Sequence, residues 1–273
     1  MTMTPIIKID NFYLKREDLN QTGSAKDRAI QEQIKEIKKR ELSHAVLSST
    51  GNAAISAAHF CQKNNIKLTV FLSPKVDPNK VKILQQYSCQ IEYSQKAISD
   101  AIKYAQEKSA YLLRQSTDPQ ALVGYQQIAQ EIKKQLPQTT SIFIPVGSGT
   151  TLLGISQQLP KNIKIFAVQS ASNCPLAKRI DSNYQPEDKL ITDALSAKYL
   201  PKKEEIIKVI KDSQGSALVV QNKNIIKANK NLEKNNIQTS MEGALALAGL
   251  NKAIKNNIEI GDCPLILLTG AKR

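Results

Sequence analysis

Aromatic residues and long apolar runs are scarce in this chain, and each shortage excludes a class of function. The 273 residues include no Trp, and aromatic side chains make up 5% of the total, so a stacking platform for single-stranded nucleic acid is not expected. No apolar run approaches the roughly 18 residues that a membrane-spanning helix needs. The N-terminal segment is charged from Lys8 onward and lacks the apolar core of a secretion signal. These absences predict a cytoplasmic protein with no membrane partner.

The few cysteines and histidines are too dispersed for a metal site. Cys61, Cys89, Cys174 and Cys263 form no CxxC pair, whereas structural zinc sites group their ligands at short spacings. We therefore predict that no metal is bound. Cys61 follows His59 by two residues, and on a helix this spacing points the two side chains to different faces. Buried small side chains therefore explain this pair better than a nucleophile with its base.

Positive charge is in excess. Lys and Arg number 38 against 24 Asp and Glu, which gives a formal net charge of +14, a balance also found in nucleic-acid-binding proteins. The basic residues are spread along the chain, however, in segments such as KEIKKRE, PKKEE and KNNIEI. Most lie on the polar faces of helical patterns or at their ends. This distribution favours solvated helix faces, and no nucleic-acid partner is predicted.

Short apolar runs alternate with longer amphipathic stretches along the whole chain. The strand candidates are FYLKR, AVLSS, KLTVFLS, CQIEYS, SIFIPV, IKIFAVQ, SALVV and PLILLTG. Strands that alternate with helical patterns predict an α/β fold with a parallel sheet. One long irregular segment, residues 170–196, interrupts the alternation. Because ligands of open α/β folds bind where strands end and helices begin, we expect the functional residues at those junctions.

Three junctions have unusual compositions. TGSAKDR places Lys26 at a helix start, where a lysine is ordinarily solvated. The loops SSTGN, residues 48–52, and GSGTT, residues 147–151, each follow a strand and open a helix. Free N–H groups and the positive helix end favour an anion there, although each loop alone is equally consistent with an ordinary turn. A lysine together with a phosphate loop indicates a Schiff-base lysine that holds a phosphorylated aldehyde cofactor.

Five motifs, in their order along the chain, resemble those of pyridoxal-phosphate enzymes of the tryptophan synthase β superfamily (fold type II), above all the threonine synthases. They are TGSAKDR, SSTGNAA, PVGSGTTLLG, SMEGALALAGL and LLTGAKR. The resemblance covers essentially the whole chain and implies two three-layer open α/β domains with mostly parallel sheets. Residues 1–43 and 119–273 would form the larger, cofactor-binding domain, and residues 44–118 a smaller mobile domain. It also implies pyridoxal 5'-phosphate as cofactor, an amino-acid substrate and a homodimer.

The resemblance also implies a role for each matching residue. Lys26 would bind the cofactor covalently and then act as the catalytic base, and Asn52 would bond the cofactor's ring oxygen. Thr269 would face the pyridine nitrogen, while the role of Glu242 is left open. The residues implied for the cofactor phosphate are Gly147, Ser148, Gly149, Thr150 and Thr151. The residues implied for the substrate carboxylate are Ser49, Thr50 and Gly51.

The implied reaction is elimination and replacement at the β and γ carbons of an amino acid. Threonine synthase, which converts O-phosphohomoserine and water into threonine and phosphate, is the first interpretation. In related synthases an arginine contacts the substrate phosphate, but the matching position here is Ala121, and the nearest basic residue in the sequence is Arg114. A serine/threonine ammonia-lyase needs no such arginine and is the alternative. A basic binding protein with a decayed active site ranks third.

Overall fold

The computed structural model divides the chain into two compact units. Unit 1 consists of Met1–Ala25 and Tyr125–Arg273, and unit 2 of Lys26–Gly124. The residues that the structure describes are 2–49, 51–74, 76 and 78–272. The larger cofactor-binding domain of residues 1–43 and 119–273 and the smaller mobile domain of residues 44–118 stay a prediction.

The predicted α/β fold class is confirmed. The strands are β1 (Ile6–Ile9), β2 (Phe12–Arg16), β3 (His44–Ser48), β4 (Lys67–Leu72), β5 (Gln90–Tyr93), β6 (Tyr111–Leu112), β7 (Ser141–Pro145), β8 (Lys164–Ser170), β9 (Ser216–Val220) and β10 (Pro264–Leu268). The α-helices are α1 (Lys26–Lys39), α2 (Asn52–Lys63), α3 (Pro78–Leu84), α4 (Ala97–Glu107), α5 (Pro119–Gln135), α6 (Thr150–Ser156), α7 (Lys203–Asp212), α8 (Asn222–Lys234) and α9 (Met241–Lys255). Short 3-10 helices span Glu17–Leu19, Ala177–Arg179 and Asp193–Leu195.

The sheet of unit 1 has the strand order β1-β2-β10-β7-β8-β9. β1 pairs with β2 in antiparallel register, and the other neighbours are parallel. Every residue of β7 and of β10 is buried, as expected for central strands covered on both faces. The alanine-rich helix α9 packs closely on this sheet. A Cβ on Gly249 of this helix would lie only 2.5 Å from Val168 Cγ2.

The sheet of unit 2 has the order β5-β4-β3-β6, and its strands are all parallel. Apolar residues of α1, α2, β3 and β4 form one core, which includes Ile30, Leu47, Ile55, Cys61 and Leu68. Burial raises the pKa of the Cys61 thiol to about 12. The thiol is therefore protonated at neutral pH, which agrees with a packing role rather than a nucleophilic one.

Within the part of the chain that the structure describes, no helix combines the length and apolar character needed to cross a membrane.

Candidate active site

Two loops of unit 1 lie side by side at the carboxyl edge of its sheet. β7 and β10 are adjacent parallel strands, so the segments that follow them emerge at the same edge. The segment after β7 is the glycine loop 147–151, and the segment after β10 begins with Thr269. The fold therefore brings together two motifs that lie more than 100 residues apart in the sequence.

The loop 147–151 has a backbone shape that requires glycine. Gly149, the N-cap residue of α6, has a φ of 86°, in the left-handed region that glycine adopts without steric cost. A Cβ at this position would lie 2.1 Å from Ile206 Cδ1. The hydroxyl oxygens of Ser148 and Thr150 are 3.0 Å apart. Because the first N–H groups of a helix lack intrahelical acceptors, the loop offers both N–H and hydroxyl donors to an anion.

The segment that precedes Lys26 is fixed to the segment that follows β10. The Ala25 N–H donates to the Thr269 carbonyl at 3.0 Å, and the Ala271 N–H donates to the Gly23 carbonyl at 2.8 Å. Ser24 and Gly270 form an antiparallel bridge between the same two segments. Lys26 is the next residue after Ala25, so its backbone starts one peptide bond from the residue that contacts Thr269.

In unit 2 the predicted carboxylate loop lies at the start of α2. Asn52 is the first residue of this helix and Gly51 is its N-cap residue; the Ser49 hydroxyl accepts the Gly51 N–H at 3.3 Å. Glycine has no side chain to cap the first N–H groups. A Cβ on Gly51 would meet none of the described atoms within 4 Å, so there is open space beside this residue. Thr50 lies outside the described residues.

The positions of Ala121 and Arg114 differ in a way that bears on the substrate. Ala121 is fully buried inside α5. Arg114 is half-buried and follows the carboxyl end of β6. The Leu113 N–H donates to the Val46 carbonyl at 2.8 Å, which continues the parallel pairing of β6 with β3. Arg114 and the loop that begins after Ser48 therefore share one edge of the sheet.

Two buried polar residues support the loop of unit 1, and sequence reasoning gave neither of them a role. The Gln169 amide donates to the Val146 carbonyl at 3.0 Å and accepts the N–H groups of Leu176 and Ala177 at 3.0 and 2.9 Å. Glu242 accepts the Ala194 N–H at 3.1 Å. A glutamine in an otherwise apolar strand run is the signal that could have identified Gln169.

The glycine loop of unit 1 fits the phosphate of a phosphorylated aldehyde, because it offers both N–H and hydroxyl donors. Residues 23–25, which lead to Lys26, pair with residues 269–271 of the same unit. The Ser24 hydroxyl oxygen, two residues before Lys26, is buried without a described hydrogen-bond partner. A buried polar atom of this kind is costly unless some group satisfies it.

Comparison with known families decides which cofactor this is. A family profile described as "Pyridoxal-phosphate dependent enzyme" matches residues 1–270. The chain belongs to this family. The expected cofactor, pyridoxal phosphate, is therefore confirmed, and the motifs that pointed to it lie in a fold of the expected class.

Curated relatives of this pyridoxal-phosphate enzyme have two different activities. A threonine synthase of Methanosarcina acetivorans is 26% identical over 96% of this chain and 70% of its own length. A biosynthetic L-threonine dehydratase of Haemophilus influenzae is 24% identical over 96% of this chain and 53% of its own length. This chain thus spans about half the length of that dehydratase. The relatives support the family and leave two activities open.

Solved structures with the same fold include two serine racemases. The maize enzyme has a TM-score of 0.88 and 19% identity, and the match covers 100% of this chain and 89% of the racemase. The Dictyostelium discoideum enzyme has a TM-score of 0.86 and 22% identity, and the match covers 100% of this chain and 93% of that racemase. At these identities the likeness confirms the fold of this enzyme.

Proposed function

We propose that this enzyme is a threonine synthase, which releases phosphate from the γ carbon of O-phosphohomoserine and adds water at the β carbon. When bound, pyridoxal phosphate stabilises the electron pair left when the Cα–H bond of an amino acid breaks. The remaining work falls to side chains and N–H groups of this chain.

Lys26 is proposed to hold the cofactor and to accept the proton from the substrate's α carbon. Its Nζ is a primary amine, which condenses with an aldehyde and, when released, acts as a base. The loop 147–151 binds the cofactor phosphate through its N–H groups and the Ser148 and Thr150 hydroxyls. This division of roles is supported by the adjacent strands β7 and β10 and by the pairing of residues 23–25 with 269–271.

Thr269 and the start of α2 are proposed to orient the cofactor ring and the substrate. A neutral hydroxyl at Thr269 leaves the ring nitrogen largely unprotonated, whereas a carboxylate would keep it charged; an unprotonated ring suits elimination and replacement better than transamination. Asn52 bonds the ring oxygen. Ser49, Thr50 and Gly51 bind the substrate carboxylate, because the uncapped helix end offers N–H donors and a positive partial charge.

The position of Arg114 is the observation that favours threonine synthase. A substrate with a phosphorylated side chain needs a cation, and Arg114 is half-buried at the same sheet edge as the proposed carboxylate loop. Guanidinium groups bind phosphate through paired hydrogen bonds. Related synthases have a phosphate-binding arginine at the position of Ala121. We propose that Arg114 binds the substrate's phosphate in this enzyme instead.

Replacement of Arg114 tests this assignment. For Arg114→Gln we expect kcat/KM for O-phosphohomoserine to fall roughly 10- to 100-fold, the cost of a lost charged hydrogen bond. Arg40→Gln is the matched control, because Arg40 lies over the Tyr111 ring at the opposite end of β6. Threonine and phosphate should be assayed in one sample. Full activity of Arg114→Gln would remove Arg114 from the site.

A serine/threonine ammonia-lyase is the second candidate, and the burial of Ala121 favours it. Ala121 lies at the position of the phosphate-binding arginine of related synthases and can present no cation to a substrate phosphate. An ammonia-lyase needs no such cation. The two activities differ in their products. If the cofactor-loaded enzyme leaves O-phosphohomoserine intact and converts threonine or serine to a keto acid, the ammonia-lyase assignment replaces the synthase. The homodimer and the cytoplasmic location remain part of the proposal.

A further inference from the structure

A turn from a distant part of the chain lies directly on the glycine loop. The 3-10 helix Asp193–Leu195 packs against Gly147, since a Cβ there would lie 3.2 Å from Leu195 Cδ2 and 3.8 Å from the Ala194 carbonyl oxygen. We name residues 192–197 the covering turn. Any displacement of this turn would remove its contact with Gly147.

A buried carboxylate holds the covering turn in place. The Ala194 N–H donates to Glu242 Oε1 at 3.1 Å. Glu242 is 5% exposed and is the second residue of α9. A carboxylate in the first turn of a helix interacts favourably with the positive end of the helix dipole, so the start of α9 is a suitable place for this buried acceptor.

A second side chain holds the other end of the covering turn. Asn173 Nδ2 donates to the Leu195 carbonyl at 2.6 Å and to the Ala197 carbonyl at 3.2 Å. Within the turn, the Leu195 N–H donates to the Thr192 carbonyl at 3.0 Å. Glu242 and Asn173 thus fix the N–H side and the carbonyl side of the same short segment.

We propose that Glu242 is a positioning residue for the cofactor phosphate: through the Ala194 N–H it holds the covering turn against Gly147, which keeps the loop's N–H groups aimed at the phosphate. The proposal rests on the proposed role of residues 147–151. It assigns to Glu242 no contact with the cofactor. The effect of Glu242 on cofactor affinity must therefore depend on the phosphate group of the ligand.

That dependence gives a direct test. Apoenzyme is titrated with pyridoxal 5'-phosphate and with pyridoxal, which lacks the phosphate, and binding is followed by absorbance. For Glu242→Ala we expect the Kd for pyridoxal phosphate to rise roughly 10-fold, the loss of one hydrogen bond to a charged group, and the Kd for pyridoxal to stay within about 2-fold. Glu242→Gln keeps an oxygen acceptor for the Ala194 N–H and should restore the affinity.

Glu131→Ala is the matched control, because Glu131 is another buried carboxylate of unit 1 and bonds Lys15 Nζ at 2.6 Å. It should lower stability and leave the ratio of the two Kd values unchanged. Asn173→Ala should raise the ratio as Glu242→Ala does. If Glu242→Ala does not fold, Glu242→Gln and Asn173→Ala decide the question, because a ratio unmoved by Asn173→Ala overturns the proposal.

Two other results also overturn it. Equal loss of affinity for both ligands in Glu242→Ala would mean a purely structural role, and unchanged affinity would mean no role. Gly149→Ala distinguishes this failure from failure of the loop assignment, because a Cβ on this loop residue would collide with Ile206 of α7. If Gly149→Ala changes the ratio and Glu242→Ala does not, only the inference about Glu242 fails. If Gly149→Ala leaves the ratio unchanged, the loop assignment itself is wrong.

Discussion

The backbone around Lys26 is set by the residues on its N-terminal side. Gly23 has a φ of 76°, which is readily available to glycine, and its carbonyl accepts the Ala271 N–H. Ala25 is 3% exposed, so a bulkier residue there would have to displace its neighbours. A small residue before the lysine therefore suits the tight pairing of this segment with residues 269–271.

Replacement of Lys26 should separate chemistry from folding. We expect Lys26→Ala to lose the covalently held cofactor and to lower kcat roughly 10²- to 10⁴-fold or more, because both the amine and the base are removed. The apoenzyme should keep its fold, since alanine is a good helix residue. Borohydride reduction followed by mass spectrometry reports the covalent link, and circular dichroism reports the fold.

Lys35→Ala is the control for this variant. Lys35 belongs to the same helix, and its side chain is 69% exposed, so the link to the cofactor and the turnover should both persist. A Lys26→Ala enzyme with normal turnover would show that the site has been misassigned.

At the scale of elements, the irregular segment 170–196 is held down by specific contacts. Lys252 Nζ lies 2.6 Å from Asp181 Oδ2, with side chains that are 15% and 10% exposed. Asp181 also accepts the Val219 N–H at 2.7 Å, and the Lys252 ammonium donates to the carbonyls of Asn183 and Val219. This pair ties the segment to β9 and α9.

Removing one partner of the Lys252–Asp181 pair should lower the free energy of unfolding more than replacing both partners. Lys252→Ala leaves Asp181 buried without its cation, and we expect the free energy of unfolding to fall by about 3 kcal/mol. Combining Lys252→Met with Asp181→Asn should cost less, because no charge remains and the amide oxygen still accepts the Val219 N–H. Urea denaturation measures both.

The exposed pair of Lys208 and Asp212, with side chains 75% and 62% exposed, is the control. Lys208→Ala should lower the free energy of unfolding by less than about 1 kcal/mol. Equal losses at the two sites would contradict this account.

Element prediction from the sequence succeeded where the apolar pattern was long. Every strand candidate has a counterpart in the structure, and FYLKR and SALVV match β2 and β9 residue for residue. β1 and β6 were missed, because four and two residues are too few to show a period. The irregular character of residues 170–196 was correct. Its contacts were not predictable, since Asp181 and Lys252 lie 71 residues apart.

For the whole molecule, the sequence alone proposed candidate site residues but not the residues that support them, and the roles of the candidates stay a prediction. Lys26, Thr269 and the loop 147–151 follow from strand-to-helix junctions and ordered motifs, because parallel strands end at a common edge. The bond between Glu242 and Ala194 and the bonds of Gln169 depend on how separate segments pack. No local pattern encodes such packing, so these residues became recognisable as supports of the loop only in the folded chain.

The cofactor should stabilise the whole enzyme because it binds the folded chain and not the unfolded one. At a free concentration 100 times its Kd, such a ligand adds about 2.7 kcal/mol, which for a chain of this size corresponds to a rise in Tm of roughly 5–10 °C. Thermal melts of apoenzyme with and without pyridoxal phosphate measure the shift. Pyridoxal at the same concentration should raise Tm less, since it cannot use the loop 147–151. Lys26→Ala should retain part of the shift, because the phosphate contacts do not require the covalent link. A Tm unchanged by saturating pyridoxal phosphate would mean that the loop 147–151 and Lys26 do not form a cofactor site.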